Sequence, residues 1–343
     1  MTADRLPVEV SGGRAPLLEV SGLVMRYDTE VGEVSAVENV SFSLGRAEAM
    51  GLVGESGCGK TSVALSLLRL APDNARYRSG SILWEGVDLL GLSDQQMRLY
   101  RWAEISMVFQ GAMNAWNPVY RVGEQIREAM YQHFDPPLSK PETNQRLDDL
   151  FRLVGLDPAV QNRYPHELSG GMRQRAVIAM ALSCEPKLII ADEPTTALDV
   201  IVQAQILEEL KEIQEDLGLS ILYISHDMAV IAQVTDTIGV MYAGKLVEFG
   251  PTREVFRRPR HPYSFLLLSS IPSVTGPRRR PVSLEGTPPN LLAPPAGCRF
   301  HPRCPWATEQ CRNDEPPMMQ IGPSQWAACW NAEQVPEMGD QLP

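Results

Sequence analysis

Apolar and polar positions alternate in two stretches near the start of the chain, LLEVSGLVMRY (17–27) and AVENVSFSL (36–44). That period of two predicts half-buried antiparallel strands. A continuous apolar run from Ala49 to Val53 then enters a glycine-rich loop and an amphipathic helix, TSVALSLL. SGSILWEGVDLL reads as a strand, a turn and a second short strand, and ISMVFQ (Ile105 to Gln110) as a buried strand ending in a glutamine. Unbroken apolar runs return in LIIADE (188–193) and SILYISHD (220–227), the pattern of parallel strands buried on both faces. From Gly111 to about Glu167 the spacing turns helical, in REAMYQHF and QRLDDLFRLVGL, which predicts a mostly helical insertion ending at Pro165. LSGGMRQR opens a long helix, and IVQAQILEELKEIQEDLG is an amphipathic one. TIGVMYAGKLVEFG predicts a hairpin turning at Ala243-Gly244 and closing a first domain near Gly250. Strands alternating with helices in this way predict an α/β fold.

The polar punctuation between these elements carries chemistry. Gly54, four residues, Gly59, Lys60 and Thr61 form a phosphate-loop pattern in GESGCGKT, between a strand and a helix as the mechanism requires. Gly54, Gly57 and Gly59 tolerate positive φ, which lets backbone N–H groups converge on an anion. Lys60 is expected at the β- and γ-phosphates, and the Thr61 hydroxyl at Mg²⁺. Cys58 lies inside this loop, at a helix N-terminus beside Lys60, so a lowered thiol pKa and high reactivity are expected. Ser169, Gly170 and Gly171 open a helix with bare backbone N–H groups, a second anion site. Asp192 and Glu193 end a strand, where α/β sheets bind ligands, and offer an acid for a metal and an acid for water. Gln110 and His226 also stand at strand ends, and Tyr27 closes the first strand.

Composition narrows the partners. The chain has 343 residues, enough for one large domain and a smaller one. Its formal net charge of −11 argues against a nucleic-acid partner. Residues 1–16 read as a loose polar leader without a secretory pattern, and no apolar run approaches the ~18 residues of a membrane span, so a soluble cytoplasmic chain is expected. The last ninety residues differ: prolines crowd from Pro272 to Pro295, which disfavours long helices, and Cys298, Cys304, Cys311 and Cys329 follow with 5, 6 and 17 residues between them. In a reducing compartment four thiols in one short segment suggest a metal or iron–sulfur site rather than disulfides, with His301 able to replace one Cys. The arginines at 257, 258, 260 and 278–280 read as solvated.

The ordered set GESGCGKT, Gln110, LSGGMRQR, LIIADE, ALD at 197–199 and His226 resembles the ATP-binding cassette ATPases over roughly residues 17–250. The tail resembles the C-terminal extension of peptide-importer ATPases through HPYSFLLLSSIP, LEGTPPNLL and CRFHPRCPWA, as does NPVYRVGEQI in the insertion. The chain is most similar to the D-type ATPase subunit. This resemblance implies a RecA-like core, an antiparallel β subdomain, a helical subdomain at about 111–175, and a small irregular extension over 251–343. It implies ATP and Mg²⁺ as cofactors. Tyr27 would stack on adenine. Gly54, Glu55, Ser56, Gly57, Cys58, Gly59, Lys60, Thr61 and Ser62 would wrap the phosphates. Gln110 would sense Mg²⁺ and the attacking water, Asp192 would hold Mg²⁺ through water, Glu193 would polarise that water, and His226 would contact the γ-phosphate. Ser169, Gly170 and Gly171 would reach the nucleotide on an opposite subunit, with Asp199 at the interface. The four cysteines would carry a [4Fe–4S] cluster, with zinc as the alternative. The implied partners are a second, non-identical F-type ATPase, two permease subunits and an extracytoplasmic binding protein, at the cytoplasmic face of the inner membrane. Some relatives carry nickel or oligosaccharides. The rival readings are a soluble cassette protein of DNA repair or translation, and a metal sensor with a vestigial ATPase.

Overall fold

The computed structural model describes residues 15–134, 136–196, 198–271 and 284–338. Most of the leader, Ala197 of the ALD motif and Arg278–Arg280 lie outside the described residues. In chain order the strands are β1 (Leu18–Thr29), β2 (Gly32–Leu44), β3 (Ala49–Val53), β4 (Ala75–Trp84), β5 (Val87–Asp88), β6 (Ile105–Val108), β7 (Leu188–Asp192), β8 (Ser220–Ser225), β9 (Thr237–Tyr242), β10 (Lys245–Pro251), β11 (Met319–Gly322) and β12 (Gln325–Ala327). The α-helices are α1 (Lys60–Leu67), α2 (Asp94–Met97), α3 (Val122–His133), α4 (Lys140–Leu153), α5 (Gly170–Leu182), α6 (Val200–Leu217), α7 (Met228–Ile231), α8 (Thr252–Arg257), α9 (Pro262–Ser269) and α10 (Glu309–Asn313). The chain divides into two compact units, one of residues 1–91 with 224–343 and one of residues 92–223.

The first unit holds an antiparallel sheet ordered β2-β1-β4-β5. Leu18 lies opposite both Leu44 and Trp84, and all three are fully buried, as the alternating pattern requires. The same unit contains the strand series β11-β12-β10-β9-β3. β3 runs parallel to β9, with Met50 opposite Thr237 and Val53 opposite Val240, so the end of β3 delivers the chain into the glycine loop. β9 and β10 form the expected hairpin. Ala243 (φ 50°) and Gly244 (φ 83°) both take the left-handed conformation, the two-residue turn whose twist matches the flanking strands.

The tail is more ordered than its composition predicts. β12 pairs antiparallel with β10, Glu248 opposite Ala327 and Phe249 opposite Trp326, and β11 pairs with β12. These strands have four and three residues, too few to display a period of two in sequence. Glu248, fully buried, secures the junction: its carboxylate accepts from the N–H groups of Arg260 and His261 and from Gln325 Nε2, at 2.7, 3.0 and 2.9 Å. Burial pushes this carboxyl up to about 7, and pushes the neighbouring His261 down to about 3. Rings of Tyr242, Tyr263 and Phe300 pack together with centroids 4.7–5.4 Å apart, joining the hairpin to α9 and the Cys-containing segment.

In the second unit β8, β7 and β6 lie side by side, β6 and β7 parallel in register from Ile105–Leu188 to Val108–Ala191. Helices α3 and α4 form where the spacing of the insertion places them. α4 begins in a capping box of Ser139 and Glu142 with proline in its first turn, and Arg146 Nε donates to Ser183 O at 2.7 Å, tying α4 to the end of α5. α6 starts on the Asp199 cap and stops at Gly218, which has φ 61°. Among the described residues no helix is long and apolar enough to cross a membrane.

Candidate functional site

The glycine loop is built by close packing as much as by chemistry. Gly54 (φ 149°) and Gly59 (φ 106°) lie in the region that favours glycine, and a Cβ there would come within 2.1 Å of Met241 O and 2.2 Å of Ala36 O. Gly59 caps α1, so the first N–H groups of the helix face the loop. Lys60 folds back over it. The residue is 6% exposed, and its ammonium donates to Gly54 O at 2.7 Å and Glu55 O at 3.0 Å. Tyr27 reaches the first turn of α1, its hydroxyl 3.1 Å from Ser62 Oγ. His226, which directly follows β8, is exposed in the same unit.

Two residues from the tail also hold this loop, and pattern reasoning did not find them. The Glu55 N–H donates to the Tyr263 hydroxyl at 2.8 Å. The Glu55 carboxylate is gripped by the Arg303 guanidinium, at 2.6 and 3.0 Å. Both lie in strings that mark the tail, HPYSFLL and CRFHPRC, but a contact across more than two hundred residues leaves no periodic signal.

In the second unit the acidic pair ends β7 as expected. Asp192 is the last residue of the strand and 1% exposed. Glu193 leaves the strand with φ 46°, an uncommon conformation for a side-chain-bearing residue. Gln110 Nε2 donates to Glu193 Oε2 at 2.8 Å, so the structure brings together the strand-end glutamine and the strand-end acid. Thr196 Oγ1 donates to the same oxygen at 2.9 Å, a partner the sequence reading missed.

Ser169 is the N-cap of α5, its hydroxyl accepting from the Met172 N–H at 3.3 Å, and it is exposed. Gly171 also has a packing reason, since a Cβ there would meet Val202 Cγ1 at 3.0 Å, and one on Gly170 would meet Leu198 Cδ2 at 3.3 Å. Asp199 caps α6 through the Val202 N–H at 3.0 Å.

Two expectations need correction. The first is the iron–sulfur site. Cys298, Cys304, Cys311 and Cys329 do line one small cavity, with Phe300 and Trp330 among its other walls. Yet among the described residues no group of three or more His, Cys, Asp or Glu is placed to hold a metal ion, whether an iron–sulfur cluster or zinc. Burial pushes the Cys298 thiol up, that of Cys304 up to about 11 and that of Cys329 up to about 12. Two of the sulfurs have hydrogen-bond partners in the protein: Cys329 Sγ accepts from the Asn331 N–H at 3.3 Å, and Cys311 Sγ lies 3.3 Å from Thr308 Oγ1. The shared strands and the buried Glu248 order this tail.

The second correction concerns Cys58. It is 5% exposed, and burial raises its pKa against the opposing pull of Lys60. Cys58 should therefore resist alkylation in the folded chain, reacting at least about tenfold more slowly than in denaturant. Mass spectrometry of iodoacetamide-treated protein checks this, and labelling at the unfolded rate would contradict it.

Comparison with known proteins bears on the whole chain. Residues 37–196 match the family described as ABC transporter, and residues 247–311 match the C-terminal region of oligopeptide/dipeptide transporters. The chain is similar to the dipeptide transport ATP-binding protein DppD of Bacillus subtilis, 45% identical over 324 residues, 94% of this chain and 96% of that protein. It is 44% identical over 316 residues to the oligopeptide transport ATP-binding protein OppD of Salmonella typhimurium, 92% of this chain and 93% of that protein. Among solved structures, cbiO1 of Clostridium perfringens, part of the ABC transporter complex cbiONQ, superposes with a TM-score of 0.61 and 26% identity, over 71% of this chain and 91% of that one. The dimeric cassette MJ0796 gives 0.62 at 24% identity, over 69% of this chain and 99% of that one, a likeness of fold.

Proposed function

Because the chain belongs to the ATP-binding proteins of ABC transporters, we propose that it hydrolyses ATP to power the uptake of di- or oligopeptides. One observation carries the choice of cargo: the cassette and the oligopeptide/dipeptide C-terminal region occur on one chain. The similarity to DppD and OppD, which spans nearly the full length of both, supports it. Nickel or oligosaccharide cargo, and DNA repair or translation, find no comparable support.

In this reading the division of the chain is a leader over 1–16, a cassette over 17–250 with its helical subdomain at about 111–175, and an extension over 251–343. Lys60 leaves the loop carbonyls to meet the β- and γ-phosphates, while the loop N–H groups cradle them. Thr61 offers a hydroxyl and Asp192 a buried carboxylate, hard oxygen donors of the kind Mg²⁺ prefers. When bound, Mg²⁺ neutralises charge building on the transferred phosphoryl group. Glu193, held by Gln110 and Thr196, orients the attacking water and accepts its proton. His226 contacts the γ-phosphate, and Tyr27 stacks on adenine. Ser169, with Gly170 and Gly171, faces the nucleotide of a second, non-identical F-type ATPase, and Asp199 lies in that interface. The other partners are two permease subunits and an extracytoplasmic binding protein, and the chain sits peripherally on the cytoplasmic face of the inner membrane. Uptake of labelled peptides by the assembled transporter, with and without an intact Lys60, tests this function.

A further inference from the structure

We propose that Arg303 is a positioning residue for nucleotide binding: through its ion pair with Glu55 the C-terminal extension sets the shape and charge of the phosphate loop. The inference rests on the reading of that loop as the ATP site.

Ion pairs in proteins are mostly solvated and weak. Arg26–Glu33 and Arg76–Asp28 fit that description, with arginine side chains 36% and 49% exposed. Arg303 differs, with a side chain only 5% exposed. Nη1 and Nη2 each meet a different oxygen of Glu55, the forked geometry that is strong and directional. Nε donates to Glu285 O at 2.9 Å, and the guanidinium carbon lies 5.8 Å from the centre of the Tyr242 ring. Each of these contacts removes a degree of freedom from the arginine, so its fork is a fixed clamp.

Glu55 is held at three points. Arg303 takes its carboxylate, the Tyr263 hydroxyl takes its N–H, and the Lys60 ammonium takes its carbonyl. The first two come from the extension and the third is the lysine expected to meet phosphate, and the Cys58 N–H of the loop itself also donates to the Glu55 carbonyl, at 3.3 Å. The extension therefore shares in setting the geometry of the loop. The Glu55 carboxylate is also an anion on a loop built for anions. Paired with Arg303 it is neutralised. Alone, it would repel a nucleotide whose phosphates carry several negative charges. The extension thus contributes both shape and compensating charge.

Both roles act through Glu55, which a double-mutant cycle on the full-length chain tests, read as the dissociation constant for Mg-ATP. Arg303→Ala should weaken binding on the order of tenfold. In a Glu55→Gln background, where no charge is left to neutralise, the same substitution should cost less than about twofold. A general loss of packing would cost the same in both backgrounds, and that result overturns the proposal. Arg303→Ala binding as tightly as wild type overturns it too. If Arg303→Ala does not fold, Arg303→Lys carries the test. Lysine keeps a charge but loses the fork, so its smaller loss should again vanish in the Glu55→Gln background, and a loss that persists there contradicts the proposal. A wild-type chain that binds no Mg-ATP strikes the assignment of the loop itself, a result distinguishable from either.

Discussion

Glu193→Gln should abolish ATP turnover while leaving Mg-ATP binding close to wild type. Gln110 Nε2 and Thr196 Oγ1 both donate to Glu193 Oε2, at 2.8 and 2.9 Å, which fixes the plane of the carboxylate. Its backbone, at φ 46°, turns it away from the strand that buries Asp192. A positioned base of this kind contributes about 10²–10⁴-fold to a proton-transfer step. Glutamine keeps the size but cannot accept a proton. Steady-state phosphate release should fall by at least about 10²-fold, with nucleotide still retained on the protein. Release near the wild-type rate would remove Glu193 from the role of base.

The second large effect is expected at Ser169. The hydroxyl caps α5 at the Met172 N–H, and Ser169→Arg removes that cap at a cost of about 1 kcal/mol of helix stability. Its greater effect comes from placing a long side chain where an exposed helix N-terminus should meet a phosphate. If that phosphate is bound by the opposite subunit, the defect acts in trans. In a homodimeric test system, Ser169→Arg and Lys60→Ala chains should each lose about 10²-fold or more of their hydrolysis, the scale of losing a transition-state donor. Mixed, they should regain activity, because one composite site in the mixed dimer contains an intact loop and an intact signature helix. No recovery at any mixing ratio would place Ser169 and Lys60 in the same subunit's site.

The elements that could be read from sequence are those with strong local signals. The loop needs glycine at Gly54 and Gly59 because Met241 O and Ala36 O leave no room for a side chain, and that need appears as GESGCGKT. The hairpin at Ala243-Gly244 is marked by its turn residues, and α6 by its apolar stripe and its glycine stop at Gly218. What failed was long-range or environmental. The pairing of β12 with β10 depends on residues near 248 meeting residues near 327, which no window along the chain contains. The fork of Arg303 on Glu55 is hidden for the same reason. The spacing of the four cysteines gave their type but not their surroundings, a small cavity with Phe300 and Trp330 among its walls. Cys58 failed likewise: its place beside Lys60 argued for a thiolate, and its burial reverses the sign.

The central claim is that this chain couples ATP hydrolysis to peptide uptake, and transport in proteoliposomes tests it most directly. The chain would be assembled with its permease subunits, its partner ATPase and the binding protein, and supplied with ATP on its own side of the membrane. A labelled di- or oligopeptide should accumulate against its gradient, stop when ATP is withheld, and stop when Glu193→Gln replaces the wild-type chain. Accumulation that continues unchanged with Glu193→Gln, or ATP-driven uptake of nickel or an oligosaccharide with none of peptide, would contradict the account.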